Sequence, residues 1–200
     1  MEVAARTSSP LSVALVMSTV RPDRFCDAPS AWLAAMRPVG MALDTIDLRE
    51  VGPPLFAERD PPAVARPRSA GAQAWLNQMA RYDAYIFVTA EYNHAPPGVL
   101  SNALDHVGDE LRRKPAAFVG YGGLGAARAI QQLRLVSLEL EMAPLRQAVH
   151  ITREPYLAKR NGERELWDFE HLNAEANRLL EEIAWWGRAL KTARASPRES

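Results

Sequence analysis

Leu11-Ser-Val-Ala-Leu-Val-Met17 runs directly into Ser18-Thr19-Val20-Arg21-Pro22-Asp23-Arg24. A short, β-branched apolar run stops abruptly at hydroxyls and guanidinium groups, and a helical pattern starts just beyond. Near-continuous apolar runs of this length are what a parallel strand covered on both faces requires. Two further runs have the same character, Tyr85-Ile-Phe-Val-Thr89 and Ala116-Ala-Phe-Val-Gly-Tyr121, and each also ends in turn-forming residues. Weaker strands are expected at Ala42–Leu48 and Leu145–Ile151. Between them lie helical spacings. Residues 25–37 place Phe25, Ala28, Trp32, Leu33 and Met36 on one stripe. Others are expected over 71–81, after Pro97 (a proline well placed at a helix start) and over 124–141. Strand and helix in regular alternation predict a doubly wound, five-stranded parallel sheet with right-handed crossovers.

The pattern breaks twice. Val51–Ala70 is rich in Pro and Arg and reads as a long loop, the kind that is functional or mobile. After a turn at Arg160-Asn161-Gly162-Glu163, a last helix is expected over about 168–191, and residues 193–200 read as a frayed end. The expected organisation is one domain over 1–200, with a core of about 11–151 and a C-terminal helical extension of about 165–192.

Bulk properties narrow the partners. Lys plus Arg and Asp plus Glu both total 24 in the 200 residues, so the net charge is zero. That balance offers no general attraction to nucleic acid or anionic lipid. No stretch approaches the roughly 20 apolar residues of a membrane helix, and the N-terminal residues are too polar for a signal peptide. The single cysteine, Cys26, permits neither an internal disulfide nor a Cys-rich zinc site; it fits a reducing cytoplasm, and a disulfide-free secreted protein would look the same.

In an open parallel sheet, ligands bind beyond the carboxyl ends of the strands, near the switch point of the strand order. Three loops should meet there. Ser18–Phe25 offers hydroxyls and guanidiniums ahead of a helix, which suits a phosphate group or a polar turn with Ser or Thr as helix cap. Glu91-Tyr92-Asn93-His94-Ala95-Pro96-Pro97-Gly98 combines an aromatic ring and an amide, which suits a flat heterocycle; a ligand-free Pro-rich connection would look similar. His94 has no second metal ligand at helical spacing, so no metal is expected, and His106, on a helix, reads as an ordinary surface or interface histidine. Tyr121-Gly122-Gly123-Leu124-Gly125 lets backbone approach a ligand or makes a tight turn. Its spacing is not a dinucleotide fingerprint.

Together, Val16–Arg21, Thr89–His94, Pro97–Asp105 and Lys114–Gly123 resemble the NAD(P)H-dependent FMN reductase family of flavodoxin-like quinone, azo and chromate reductases. The resemblance spans about Leu11–Ile151 and implies strand order 2-1-3-4-5. It implies FMN as cofactor, with NADPH or NADH as electron donor and a quinone, flavin or similar small molecule as acceptor. It places Ser18, Arg21 and Arg24 at the FMN phosphate, with Thr19 and Phe25 of the same loop also among the cofactor-binding residues. It places Glu91, Tyr92 and Asn93 along the ring system, counts His94 among the cofactor-binding residues, and places Tyr121, Gly122 and Gly123 at the pyrimidine side. It singles out no catalytic side chain and implies a homodimer or homotetramer. Arg59, Arg66 and Arg68 of the long loop would either meet NADPH phosphates or form solvated surface. The chain departs from the family pattern at Met17, where Gly is common, and at Ala90, where Pro is common. An FMN-binding electron carrier and a cofactor-less regulatory protein remain alternative readings of the same fold.

Overall fold

Five parallel strands form one sheet in the order β2-β1-β3-β4-β5. They are β1 (Leu11–Met17), β2 (Met41–Asp47), β3 (Ala84–Ala90), β4 (Pro115–Tyr121) and β5 (Ala143–Ile151). This computed structural model describes residues 9–196 except 63 and 68. The helices are α1 (Asp27–Ala35), α2 (Leu48–Val51), α3 (Ala70–Ala80), α4 (Gly98–Asp105), α5 (Ala127–Glu139), α6 (Arg153–Arg160) and α7 (Glu170–Ala195). The order is the expected flavodoxin-like one, with the switch point between β1 and β3.

Strand alternation sorts the core into two layers. Leu11, Val13, Leu15 and Met17 face Trp32 and Leu33 of α1 and Leu172, Leu179 and Ile183 of α7. Ala14 and Val16, with Tyr85, Phe87 and Phe118, face Trp75 of α3, Leu100 of α4 and Leu133 of α5. Every residue of β3 and β4 is buried, whereas the edge strand β2 exposes Ala42, Asp44 and Thr45. Its weak sequence signal follows from that position, since only a few β2 residues serve the core. The two indole N–H groups used in packing are satisfied: Trp75 donates to the Ala103 carbonyl at 2.8 Å and Trp32 to Asn173 at 3.2 Å.

Several expectations are corrected. The C-terminal helix does not fray at 193; it runs to Ala195 because Asp83, below β3, receives Lys191 at 2.7 Å and Arg194 at 3.2 Å. Residues 197–200 lie outside the described residues. His106 is not a surface residue but is buried beneath the long loop. Its Nε2 donates to the Pro54 carbonyl at 2.8 Å and its ring meets Phe56 edge-on at 5.0 Å. Asn102 adds a two-sided clasp, accepting from the Phe56 N–H at 2.8 Å and donating to the Pro54 carbonyl at 3.0 Å. The start of the 51–70 loop is therefore strapped to α4 rather than free. Further along, Arg66 pairs with Glu110 at 3.0 Å, and Arg68 lies outside the described residues. No described helix is long and apolar enough to cross a membrane.

Replacing Asn102 by Ala removes the clasp, leaving the Phe56 N–H to find water and the Pro54 carbonyl with His106 alone. Unfolding in urea should show a loss of about 1–3 kcal/mol, with faster tryptic cleavage at Arg59. Unchanged stability and cleavage would show that the strap is held without Asn102.

Candidate functional site

The register of the sheet brings three loops together. Met17 pairs with Val88 on β3, and Ala90 of β3 pairs with Tyr121 of β4. The chain therefore leaves β1, β3 and β4 side by side, at Ser18, Glu91 and Gly122.

In the first loop Ser18 and Thr19 are fully buried. The Ser18 hydroxyl donates to the Val88 carbonyl at 2.8 Å, and Thr19 Oγ1 lies 3.1 Å from the Tyr121 hydroxyl. Both hydroxyls tie the loop to neighbouring strands. From Thr19 through Phe25, Pro22 aside, the backbone N–H groups donate to no acceptor among the described residues. A run of such donors ahead of a helix is a ready cradle for an anion. Arg21 has no carboxylate partner among the described residues; its guanidinium lies 4.2 Å from the centre of the Tyr92 ring.

Arg24, expected at the phosphate beside Arg21, is engaged elsewhere. Its guanidinium is almost completely buried between Asp47, at 2.5 and 2.6 Å, and Asp27, at 2.8 Å, and also donates to the Thr19 carbonyl at 2.6 Å. The Asp47 bonds hold Arg24 charged despite the cost of its burial. The same Arg24 bonds hold the Asp47 carboxyl below its usual range.

The second loop turns at Tyr92-Asn93-His94-Ala95. Tyr92 and Ala95 exchange backbone hydrogen bonds of 2.9 and 3.0 Å, and Asn93 and His94 have φ of 52° and 67°. Left-handed backbone at both central residues is the type I′ pattern, which Asn tolerates well. Their side chains are exposed at the tip of the turn, while Glu91 and Tyr92 form pocket wall. Glu91 caps α5: its carboxylate accepts from the backbone N–H of Arg128 at 2.9 Å and from Arg128 Nε at 2.6 Å. Burial raises the Glu91 pKa, but these bonds outweigh it and hold the carboxyl below its ordinary value. Arg128 also donates to His94 Nε2 at 2.9 Å, so one guanidinium fastens the second loop to α5.

The third loop divides its glycines by task. Gly122 has φ of 122°, and a Cβ built on Gly122 or Gly123 would meet nothing within 4 Å. Gly125 has φ of 58°, and there a Cβ would lie 2.7 Å from that of His150. The first pair opens onto the pocket, and Gly125 packs against β5.

These loops enclose a pocket of about 520 Å³, within the usual range for small-ligand sites. A fourth wall comes from α6, in a segment with no element predicted. Tyr156 meets Phe25 edge-on at 4.6 Å and lies parallel to Tyr121 at 6.3 Å, while Phe25 meets Tyr121 at 5.1 Å. Lys159 and Arg160 also line this side. The signals for α6 were capping ones: Thr152 at the N-cap, Pro155 in the first turn, Lys159 and Arg160 in the last, and Asn161-Gly162 after it. Met17 does not reach the pocket; it is buried in the layer shared with α1 and α7. Ala90 lines the pocket wall. Among the described residues no group of acidic, His or Cys side chains is arranged to hold a metal.

The fold is flavodoxin-like, and its pocket gathers unpartnered backbone N–H groups of the first loop and the open Gly122-Gly123 pair. The chain belongs to the NADPH-dependent FMN reductase family, whose model matches residues 11–155. It is 31% identical to an NAD(P)H-dependent FMN reductase of Schizosaccharomyces pombe, over 71% of this chain and 74% of the relative. It is 33% identical to a 2-hydroxy-1,4-benzoquinone reductase of a Burkholderia species, over 68% and 75%. The fold is shared with FerB, an NAD(P)H:(acceptor) oxidoreductase flavoenzyme of Paracoccus denitrificans. That match has a TM-score of 0.60 at 19% identity, over 91% of this chain and 98% of the other.

The Arg24–Asp47 pair makes a pH prediction. Asp47 has a folded-state pKa below the unfolded value of about 3.9. The pair thus contributes fully above that value and is lost as pH falls through the lower folded one. Stability measured between pH 5 and 2 should fall less steeply in Asp47→Asn than in the native chain. Parallel acid limbs would remove Asp47 as a contributor.

Proposed function

We propose that the pocket binds FMN and that the loaded protein is an NAD(P)H-dependent reductase of quinones, flavins or similar small acceptors. The observation that carries this is the unpartnered backbone N–H run from Thr19 to Phe25, whose Arg21–Phe25 part shares one pocket with the open Gly122-Gly123 pair. The residues fit the cofactor. The N–H groups and Arg21 would hold the phosphate. Glu91 and Tyr92, held by the Asn93-His94 turn, would flank one side of the ring system, and Tyr121, Gly122 and Gly123 the other. Ser18, Thr19, Phe25 and Arg24 set the shape of the cradle, Arg24 as a clamp on the loop rather than as a phosphate ligand. Bound there, FMN supplies the electron-transfer chemistry. The chain's own contribution is to bind, orient and leave one side reachable by a second substrate; no side chain is assigned an acid or base role.

The family match, together with relatives named as FMN and quinone reductases, supports turnover over a purely carrier role. We further read the chain as one flavin-binding domain that acts in the cytoplasm as a homodimer or homotetramer, without nucleic acid. The single, buried Cys26, with no second cysteine to pair with in the chain, fits a reducing location. The exposed Trp185 and Trp186 of α7 support self-association.

Purified protein should show flavin absorption, or acquire it on adding FMN, and should consume NADPH or NADH in the presence of benzoquinone. A protein that binds no FMN would sink the reading, and one that binds FMN without turnover would be a carrier. Arg21→Ala should weaken FMN binding roughly tenfold to a hundredfold, the effect of losing a charge-assisted bond; unchanged affinity would remove Arg21 from the phosphate site. Light scattering should give a dimer or tetramer, and Trp185→Ser should shift it towards monomer. A native monomer would refute the self-association.

A further inference from the structure

Most charged side chains in the pocket wall neutralise one another. Arg24 is taken up by Asp27 and Asp47, Glu91 by Arg128, and Lys159 by Glu165 at 2.7 and 2.8 Å. Arg21 and Arg160 carry the cationic charge left over, against the carboxylate of Asp23, none of the three having an ion-pair partner among the described residues. Arg21 belongs to the cradle of the first loop. Arg160 stands on α6, and nothing in the flavin site as proposed uses it.

Arg160 is nonetheless positioned. Its guanidinium donates to the Tyr156 hydroxyl at 2.8 Å. The Tyr156 ring is in turn set against Phe25 and Tyr121. A guanidinium oriented at a pocket wall, with its remaining N–H groups uncommitted, suits a phosphate dianion, which brings about −1.5 to −2 charges and three acceptor oxygens. Residues 156–160 also lie just beyond the segment matched by the family model, which ends at 155.

We infer that Arg160, oriented by Tyr156, is a second phosphomonoester anchor of this pocket. The inference rests on the flavin site proposed above. Two molecules of the reaction carry such a group: FMN at its 5′-phosphate and NADPH at its 2′-phosphate. NADH carries none.

The test compares Arg160→Ala and Arg160→Lys with the native holoenzyme. Affinity of the apoprotein for FMN and for riboflavin is measured by fluorescence titration, and kcat/KM with NADPH and with NADH at saturating FMN. A fall of about tenfold or more in the NADPH-to-NADH ratio, with FMN affinity unchanged and Lys partly restoring it, assigns Arg160 to the donor's 2′-phosphate. A similar fall in FMN affinity, with riboflavin affinity unchanged, assigns it to the flavin phosphate. Unchanged values in both arms overturn the inference, as does an equal loss for FMN and riboflavin, which would mark a role in shape alone. Arg21→Ala is run alongside. Unchanged FMN affinity there removes Arg21 from the phosphate site and leaves the Arg160 arms readable, whereas a native protein that binds no FMN fails the flavin-site reading itself.

Discussion

The central strands have no polar side to offer. With both faces of β3 and β4 buried, every side chain of those strands serves the core, and polar chemistry is displaced to the loops at their carboxyl ends. Those loops cannot borrow order from the sheet beyond the first residue, so they must be fixed by bonds of their own. Ser18 and Thr19 do this with hydroxyls turned towards β3 and β4. Arg24 does it with a buried guanidinium that reaches β2 through Asp47, α1 through Asp27 and the loop itself through the Thr19 carbonyl. Burying that charge costs desolvation, offset here because the ion is bonded on several sides. The loop's backbone N–H groups are thus held in place, which would lower the ordering cost of the phosphate binding proposed for it.

The same logic holds across the pocket. Glu91 caps α5, and Arg128 returns the favour by gripping both Glu91 and His94. The loop after β3 and the helix after β4 become one unit. Glu91 thus shapes the slot without having to touch a ligand. The strained-looking backbone of Asn93 and His94 is the ordinary cost of a two-residue turn that brings Tyr92 to the wall.

What was legible in the sequence follows from this division. Strands β1, β3 and β4 announce themselves because burial on both faces demands unbroken apolar runs, and the three loops follow from where those runs stop. Helix α6 stayed hidden because it is only eight residues long and buries little more than Pro155 and Ala158, too short an apolar stripe to recognise. The strapped state of the long loop was invisible because Asn102 and His106 meet it across 46 to 52 residues of sequence. Arg21 and Arg24 look interchangeable three residues apart. Only Asp47, placed at the end of β2 by sheet pairing, separates a clamp from a free cation.

Met17 shows how a departure from a family pattern is settled by periodicity rather than by residue size. A side chain in place of glycine just before Ser18 would crowd an anion if it pointed into the cradle. Its direction is not free, however, because β1 extends to Met17 and successive side chains alternate. Leu11, Val13 and Leu15 face the α1–α7 layer, so Met17 must follow them, and it is buried there. A flexible thioether fills that space without strain. The cradle opens only at Ser18, one residue past the strand, where the backbone is released from the pleat and the Ser18 N–H makes its last bond to the sheet, at Val88.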